Sequence, residues 1–178
     1  MTLPAEPELA ALVRLVSNLL ALDQASKTSG WAVFIDGKLK TWGHFTMEQD
    51  DMGERLNKIR AKVVDLLEEY SIDEVAYEDI QLQSNVGNNV HTFKVLAEVY
   101  GILTELFYSY KIPAKSYLAS VWKSQLNIKG RDRAAQKRAA QAYVMDTFKI
   151  KCTQDEADAI CIGASVLLLN KKEPFDWS

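Results

Sequence analysis

The sequence is sparing with the residues that most small catalytic sites need: two histidines, two cysteines, eight glycines and four prolines among 178 residues. Its apolar runs are all shorter than the roughly 20 residues a membrane-spanning helix requires. Cys152 and Cys161 lie nine positions apart and far from His44 and His91, so the spacing does not make a zinc-ligand set, and reduced thiols in a cytosolic protein account for both. So few histidines leave no Ser-His-Asp or Cys-His nucleophile arrangement, and no Gly-x-x-x-x-Gly-Lys-Ser/Thr loop is present to cradle a nucleotide phosphate. The opening residues, Met1 to Glu8, carry acids where a secretory signal carries bases, so the expected location is the cytoplasm. What remains is a 48% hydrophobic, 25% charged chain of a length that builds one domain with a true core.

The net charge of −3 conceals a strong internal asymmetry. Residues 1–110 hold 9 basic and 17 acidic side chains, whereas residues 111–151 hold 10 basic and 2 acidic. A concentrated basic stretch attracts phosphate locally whatever the total charge, although a solvated helix face has the same composition.

Hydrophobic periodicity divides the chain into alternating elements. Residues 1–18 form an extension with helical spacing at Leu9, Leu12, Val13 and Val16, and residues 19–178 form one domain. Leu19–Asp23 predicts a buried strand, Gly30–Ile35 a second, and Asp36-Gly37 a hairpin turn into a third over Lys38–Thr46. Helical spacing follows over Glu54–Tyr70, then a short strand over Glu74–Glu78, a polar loop over 81–89 and a long helix over Val90–Tyr110. Pro113–Tyr117 predicts the last strand. Three helices close the chain: Leu118–Leu126, a basic one capped by Asp132 and reaching Phe148, and Gln154–Leu169. Three strands in an antiparallel meander followed by alternating helix and strand give an α/β fold, a mixed five-stranded sheet flanked by helices.

Four carboxylates stand out against this framework. Asp23 ends the apolar run Leu19-Leu20-Ala21-Leu22, and Glu78 ends Val75-Ala76-Tyr77. A charge at the end of a buried strand must be solvated, paired or bound to a cation. Asp79 is set aside because strand alternation turns it to the other side. Asp155 and Asp158, three apart, share one face of the closing helix, and Asp158 sits among Ala157, Ala159, Ile160 and Cys161. Each acid alone is commonly a cap or a surface charge. Four brought together would repel unless a hard divalent cation, Mg²⁺ or Mn²⁺, joined them through oxygen, and two such ions activate water and stabilise the leaving oxygen of a phosphodiester.

The same residues carry a family resemblance. Leu20-Ala-Leu-Asp23-Gln-Ala-Ser-Lys-Thr-Ser29-Gly30 resembles the opening motif of the RuvC Holliday junction resolvases. Val75-Ala-Tyr-Glu78 resembles their second motif, and Gln154-Asp155-Glu-Ala-Asp158-Ala-Ile their closing helix. Order and spacing agree over roughly residues 19–170. The resemblance implies an RNase H-like fold and a structure-selective, metal-dependent endonuclease acting as a homodimer on four-way junctions and other branched DNA. It further implies two Mg²⁺ or Mn²⁺ ions held by Asp23, Glu78, Asp155 and Asp158, with 5′-phosphate and 3′-hydroxyl products. Val121-Trp122-Lys123 resembles the family's basic position before the final helices, and Gln136-Lys137-Arg138-Ala139 its second lysine site, which puts Lys123 and Lys137 beside the scissile phosphate. Lys129, Arg131 and Arg133 around Gly130, with Gln81 and Asn85 from the polar loop, are the further DNA-contact candidates. The dimer surface is expected on the helix after that loop, where Gly101 matches a family position of close helix packing.

Three features depart from the family pattern. Gln24-Ala25 replaces the usual Pro-Gly after the first Asp, Gln81 stands where an aromatic is common three residues after the Glu, and the extension of about 18 residues is additional. These resemble the bacteriophage branch found in lactococcal phages, for which the location would be the host cell cytoplasm. Two rival readings remain at this point. Asp23-x-Ala-x-x-x-Ser-Gly also resembles the first phosphate loop of the actin and sugar-kinase superfamily, but no second nucleotide loop follows. A non-catalytic branched-DNA-binding module would use the basic stretch, but the acids would oppose DNA without a metal.

Overall fold

A computed structural model describes residues 17–81 and 89–172. Five strands form one mixed sheet: β1 (Asn18–Asp23), β2 (Thr28–Ile35), β3 (Lys38–Thr46), β4 (Glu74–Glu78) and β5 (Ala114–Tyr117). Their spatial order is β3-β2-β1-β4-β5. The β1–β2 and β2–β3 pairs are antiparallel, whereas β1–β4 and β4–β5 are parallel. This is the expected meander extended by two crossover strands. The β2–β3 turn uses Asp36 (φ 52°) and Gly37 (φ 71°), the left-handed pair that a two-residue hairpin of this twist requires.

Side-chain alternation along each strand splits the core into two layers. Leu20, Leu22, Val33, Val75 and Tyr77 face the helices α1 (Met52–Glu69) and α2 (Asn89–Ser109). Leu19, Ala21, Ala32, Phe34 and Ala76 face α3 (Ala119–Gln125), α4 (Arg133–Phe148) and α5 (Gln154–Lys172). Small residues on this second face let α5, which carries Ala157, Ala159 and Ile160 inward, lie close on the sheet. An alanine at Gly163 would put its Cβ 2.2 Å from the Phe34 ring, so the helix and β2 interlock there.

Element boundaries shift from the sequence expectation where a side chain sets them. Strand β2 starts at Thr28 rather than Gly30, because Thr28 and Ser29 pair with Thr46 and Phe45 while the Ser29 hydroxyl donates to the Ala25 carbonyl and accepts from the Ala25 N–H, each at 3.0 Å. Helix α1 starts at Met52 because Asp51 caps it, accepting from the Glu54 N–H at 2.8 Å. Asp132 caps α4 in the same way through the Ala135 N–H, as expected. No helix among the described residues is long and apolar enough to cross a membrane.

Candidate active site

Asp23 and Glu78 close two neighbouring parallel strands. Leu22 stands beside Tyr77 in the β1–β4 register, so the next residues along, Asp23 and Glu78, end the two strands side by side. Both continue the alternation of Leu19, Ala21 and Ala76, and so share the face covered by α5. Asp79, next in the alternation, falls on the opposite face, and its Oδ1 accepts from the Ile80 N–H at 2.9 Å.

The start of α5 is seated against this pair of strand ends. Gly30 lies opposite Asp23 in the β1–β2 register, and a Cβ on it would stand 1.9 Å from the Asp155 carbonyl oxygen. Only a residue without a side chain allows the first turn of α5 to rest here. A capping box fixes the same turn: Glu156 accepts from the Thr153 N–H at 2.8 Å, and the Thr153 hydroxyl accepts from the Glu156 N–H at 3.3 Å. The other Glu156 oxygen is 2.8 Å from His44 Nδ1 on β3. Glu156 therefore points away from the acid pair, leaving Asp155 and Asp158 toward the sheet.

Electrostatics join the four acids. Burial, then the charges of Glu78, Asp158 and Asp155, raise the Asp23 carboxyl well above its ordinary value, with Lys137 opposing. Burial raises Glu78 too, against the Trp122 hydrogen bond and the charges of Lys123, Arg133 and Lys137. Asp158 is pushed up to about 6, chiefly by burial and further by Glu78 and Asp155, although Lys137 and Lys123 pull the other way. Its Oδ1 is buried without a hydrogen-bond partner among the described residues. An orphaned carboxylate oxygen among further carboxylates, with oxygen as the only donor, fits a hard divalent cation. No three acidic, histidine or cysteine side chains among the described residues form a ready ligand shell. Asp155 is instead turned to Lys137, 3.5 Å away, and Glu78 to Trp122.

The basic candidates divide into two groups. Lys137 lies against Asp155, and Lys123, 5.0 Å from the Trp122 ring centroid, donates to the Gln136 amide oxygen at 3.3 Å. With Arg133 they form the positive side of the acid cluster. Lys129 and Arg131 stand further out and exposed, and Arg131 pairs with the neighbouring Asp132 at 3.2 Å. Gln81 is exposed at the end of the described segment after β4, and Asn85 lies outside the described residues. Gly101 on α2 does not pack into the core: it is exposed, with nothing within 4 Å of an added Cβ.

Several residues of the site carry no simple sequence signal. Gln24 reads as part of a polar turn, yet its amide is buried, donating to the Glu78 carbonyl and accepting from the Glu78 N–H at 3.2 Å. Trp122 reads as helix core, and is fully buried, but its indole N–H donates to Glu78 Oε2 at 3.1 Å. The Thr153-x-x-Glu156 cap is detectable as a capping-box pattern.

Comparison with known proteins gives a consistent set of similarities. The sequence profile of the family described as crossover junction endodeoxyribonuclease RuvC matches residues 15–165. Among curated relatives, the crossover junction endodeoxyribonuclease RuvC of Ehrlichia chaffeensis is 27% identical over 152 residues, spanning 82% of this chain and 93% of its own length. That of Ehrlichia ruminantium strain Gardel is 26% identical over 156 residues with the same coverage. Thermus thermophilus RuvC, solved in complex with a Holliday junction substrate, superposes with a TM-score of 0.69 at 16% identity, over 88% of this chain and 96% of that one. Fowlpox virus resolvase, solved with its substrate Holliday junction DNA, gives 0.61 at 13% identity, over 85% and 97%. At these identities the structural likeness speaks for the fold.

Proposed function

Because the chain belongs to the crossover junction endodeoxyribonuclease RuvC family and is on that ground a junction-cleaving endonuclease, we propose that its acid cluster is the hydrolytic centre and its basic helix the DNA-facing surface. Asp23, Glu78, Asp155 and Asp158 hold divalent cations, Mg²⁺ or Mn²⁺ and two per site in this reading. The observation that carries it is the buried Asp158 Oδ1, left without a partner among the described residues and set between acids that each raise its cost. Bound cations would supply a water of lowered pKa and neutralise charge on the leaving oxygen.

The chain's own residues do the rest. Strand ends β1 and β4 fix Asp23 and Glu78 side by side, and the α5 seat on Gly30 brings Asp155 and Asp158 to them. In this reading Lys137 and Lys123 take the scissile phosphate, Lys137 exchanging its contact with Asp155 for phosphate once the acids are otherwise compensated. Arg133, Lys129 and Arg131 extend the positive surface along α4 and the loop before it. Gln81 and Asn85 are proposed as contacts near the branch point, where Gln81 hydrogen-bonds rather than stacks. Products carry 5′-phosphate and 3′-hydroxyl ends.

We further propose a homodimer through α2, which suits a substrate with two symmetric strands to cut. A Cβ added at Gly101 would meet nothing within 4 Å in the described chain, and Val90 on the same helix is 65% exposed. Residues 19–178 act as the nuclease domain, residues 1–18 as an extension, and the setting is the cytoplasm. The deciding experiment is cleavage of four-way junctions, forks and linear duplex with Mg²⁺ and with Mn²⁺. The parental chain should cut branched DNA, whereas Asp23→Asn and Glu78→Gln should bind it without cutting. Parental rates in either variant would refute the site assignment, and binding without cleavage by the parental chain would favour a junction-binding module.

A further inference from the structure

Glu78 is held twice, and neither hold follows from the acids themselves. Strand β1 ends at Asp23, so the β1–β4 ladder stops just where Glu78 would need its next partner. The Gln24 side chain supplies that partner. Its amide oxygen accepts from the Glu78 N–H at 3.2 Å and its NH₂ donates to the Glu78 carbonyl, so one side chain supplies the acceptor and the donor that a continuing strand backbone would supply. On the other side of the same residue, the fully buried Trp122 indole donates to Glu78 Oε2 at 3.1 Å. Trp122 comes from α3, so the carboxylate is tied to a helix 44 positions along the chain. Oε1 has no hydrogen-bond partner among the described residues.

We propose that Gln24 and Trp122 are positioning residues for metal binding: Gln24 fixes the Glu78 backbone beyond the end of the ladder, and Trp122 orients the carboxylate by engaging one oxygen. This rests on the reading of Glu78 as a cation ligand. A buried Gln is costly unless both ends of its amide are satisfied, and here both are spent on one residue. An unconstrained Glu side chain has three rotatable bonds. Freezing it before the cation arrives removes that ordering cost from metal binding. Outer-shell donors of this kind typically contribute about 10–100-fold in metal affinity.

The test uses Gln24→Met, which keeps length and loses both amide bonds, and Trp122→Phe, which keeps a buried ring and loses the indole N–H. Mn²⁺ binding to each full-length variant is measured by electron paramagnetic resonance and calorimetry, beside thermal stability and junction affinity in EDTA. A rise of roughly 10–100-fold in the Mn²⁺ dissociation constant, with junction affinity in EDTA unchanged, is expected for both. Folded variants that bind Mn²⁺ within threefold of the parental chain would overturn the proposal, even if their melting temperature fell, since a purely structural role predicts that pattern.

The parental chain gives an independent readout should a variant fail to fold. The Trp122 indole N–H resonance, identified by elimination through Trp31→Phe, Trp42→Phe and Trp177→Phe, should move on Mg²⁺ titration. A stationary resonance while Mg²⁺ binds refutes the role of Trp122. Absence of any metal binding by the parental chain refutes the ligand assignment of Glu78 instead, so the two failures are distinct.

Discussion

Replacing Asp158 with Asn should make the metal-free protein more stable while abolishing cleavage, and the size of the effect follows from burial. Asp158 is only 8% exposed, and its Oδ1 has no hydrogen-bond partner among the described residues. Its carboxyl is raised from 3.8 to about 6 in the fold, first by burial and then by Glu78 and Asp155. The native state therefore holds a proton that the unfolded chain has already released between those two values. Stability falls as pH rises through that window, and above about pH 6 the whole penalty is present. At about 1.36 kcal/mol per pH unit it amounts to about 3 kcal/mol. An Asn cannot ionise and escapes it, though its NH₂ group must find partners, which offsets about 1 kcal/mol. Urea unfolding followed by circular dichroism in EDTA should thus show Asp158→Asn about 2 kcal/mol more stable than the parental chain at pH 7.5. At pH 4, where the parental carboxyl is largely protonated, most of the gap should close. Adding Mg²⁺ at pH 7.5 should stabilise the parental chain more than the variant. A variant no more stable than the parental chain at pH 7.5, or a gap equal at both pH values, would refute the view that Asp158 is a buried charge awaiting a cation.

Further outcomes can be checked with ordinary assays. Gly30→Ala places a Cβ 1.9 Å from the Asp155 carbonyl oxygen, so unfolding should show a loss of about 1–3 kcal/mol. Cleavage should fall by about 10²-fold as two acids shift, whereas parental activity would show that α5 does not need this seat. Gly101→Ala should raise the chain's intrinsic stability by about 0.5–1 kcal/mol, since helix propensity is gained and nothing within the described chain is struck. Gly101→Arg should shift sedimentation toward a monomer, and an unchanged species would move the dimer surface elsewhere. Replacing Lys129 and Arg131 together with Ala should lower the slope of log affinity against log salt by about two, measured by fluorescence anisotropy on a four-way junction.

What could be read from the sequence was what repeats or interrupts a pattern. Asp23 and Glu78 were visible because each ends an apolar run, and Asp158 because it breaks an apolar helix face. Asp36-Gly37 announced its hairpin because few dipeptides accept two left-handed residues. The supports of those acids were hidden for a common physical reason. Gln24 reaches Glu78 across 54 positions and Trp122 across 44, and a side chain bonding to a distant partner leaves no periodic trace. Gly30 looked like the start of a strand, since its need for a bare Cα arises only from where α5 lands. The basic run makes Lys137 a phosphate-contact candidate, but its contact with Asp155 depends on helix orientation, which periodicity does not set.

Helix α5 is keyed to the hairpin at two places, Gly30 beneath its first turn and Gly163 against Phe34. Such a joint transmits movement rather than absorbing it: a change in the twist of β2 carries Asp155 and Asp158 along with it. On the proposed reading of these acids, sequence changes in that hairpin should alter hydrolysis without touching DNA or cation, and a hairpin borrowed from a relative should work only with its matching helix.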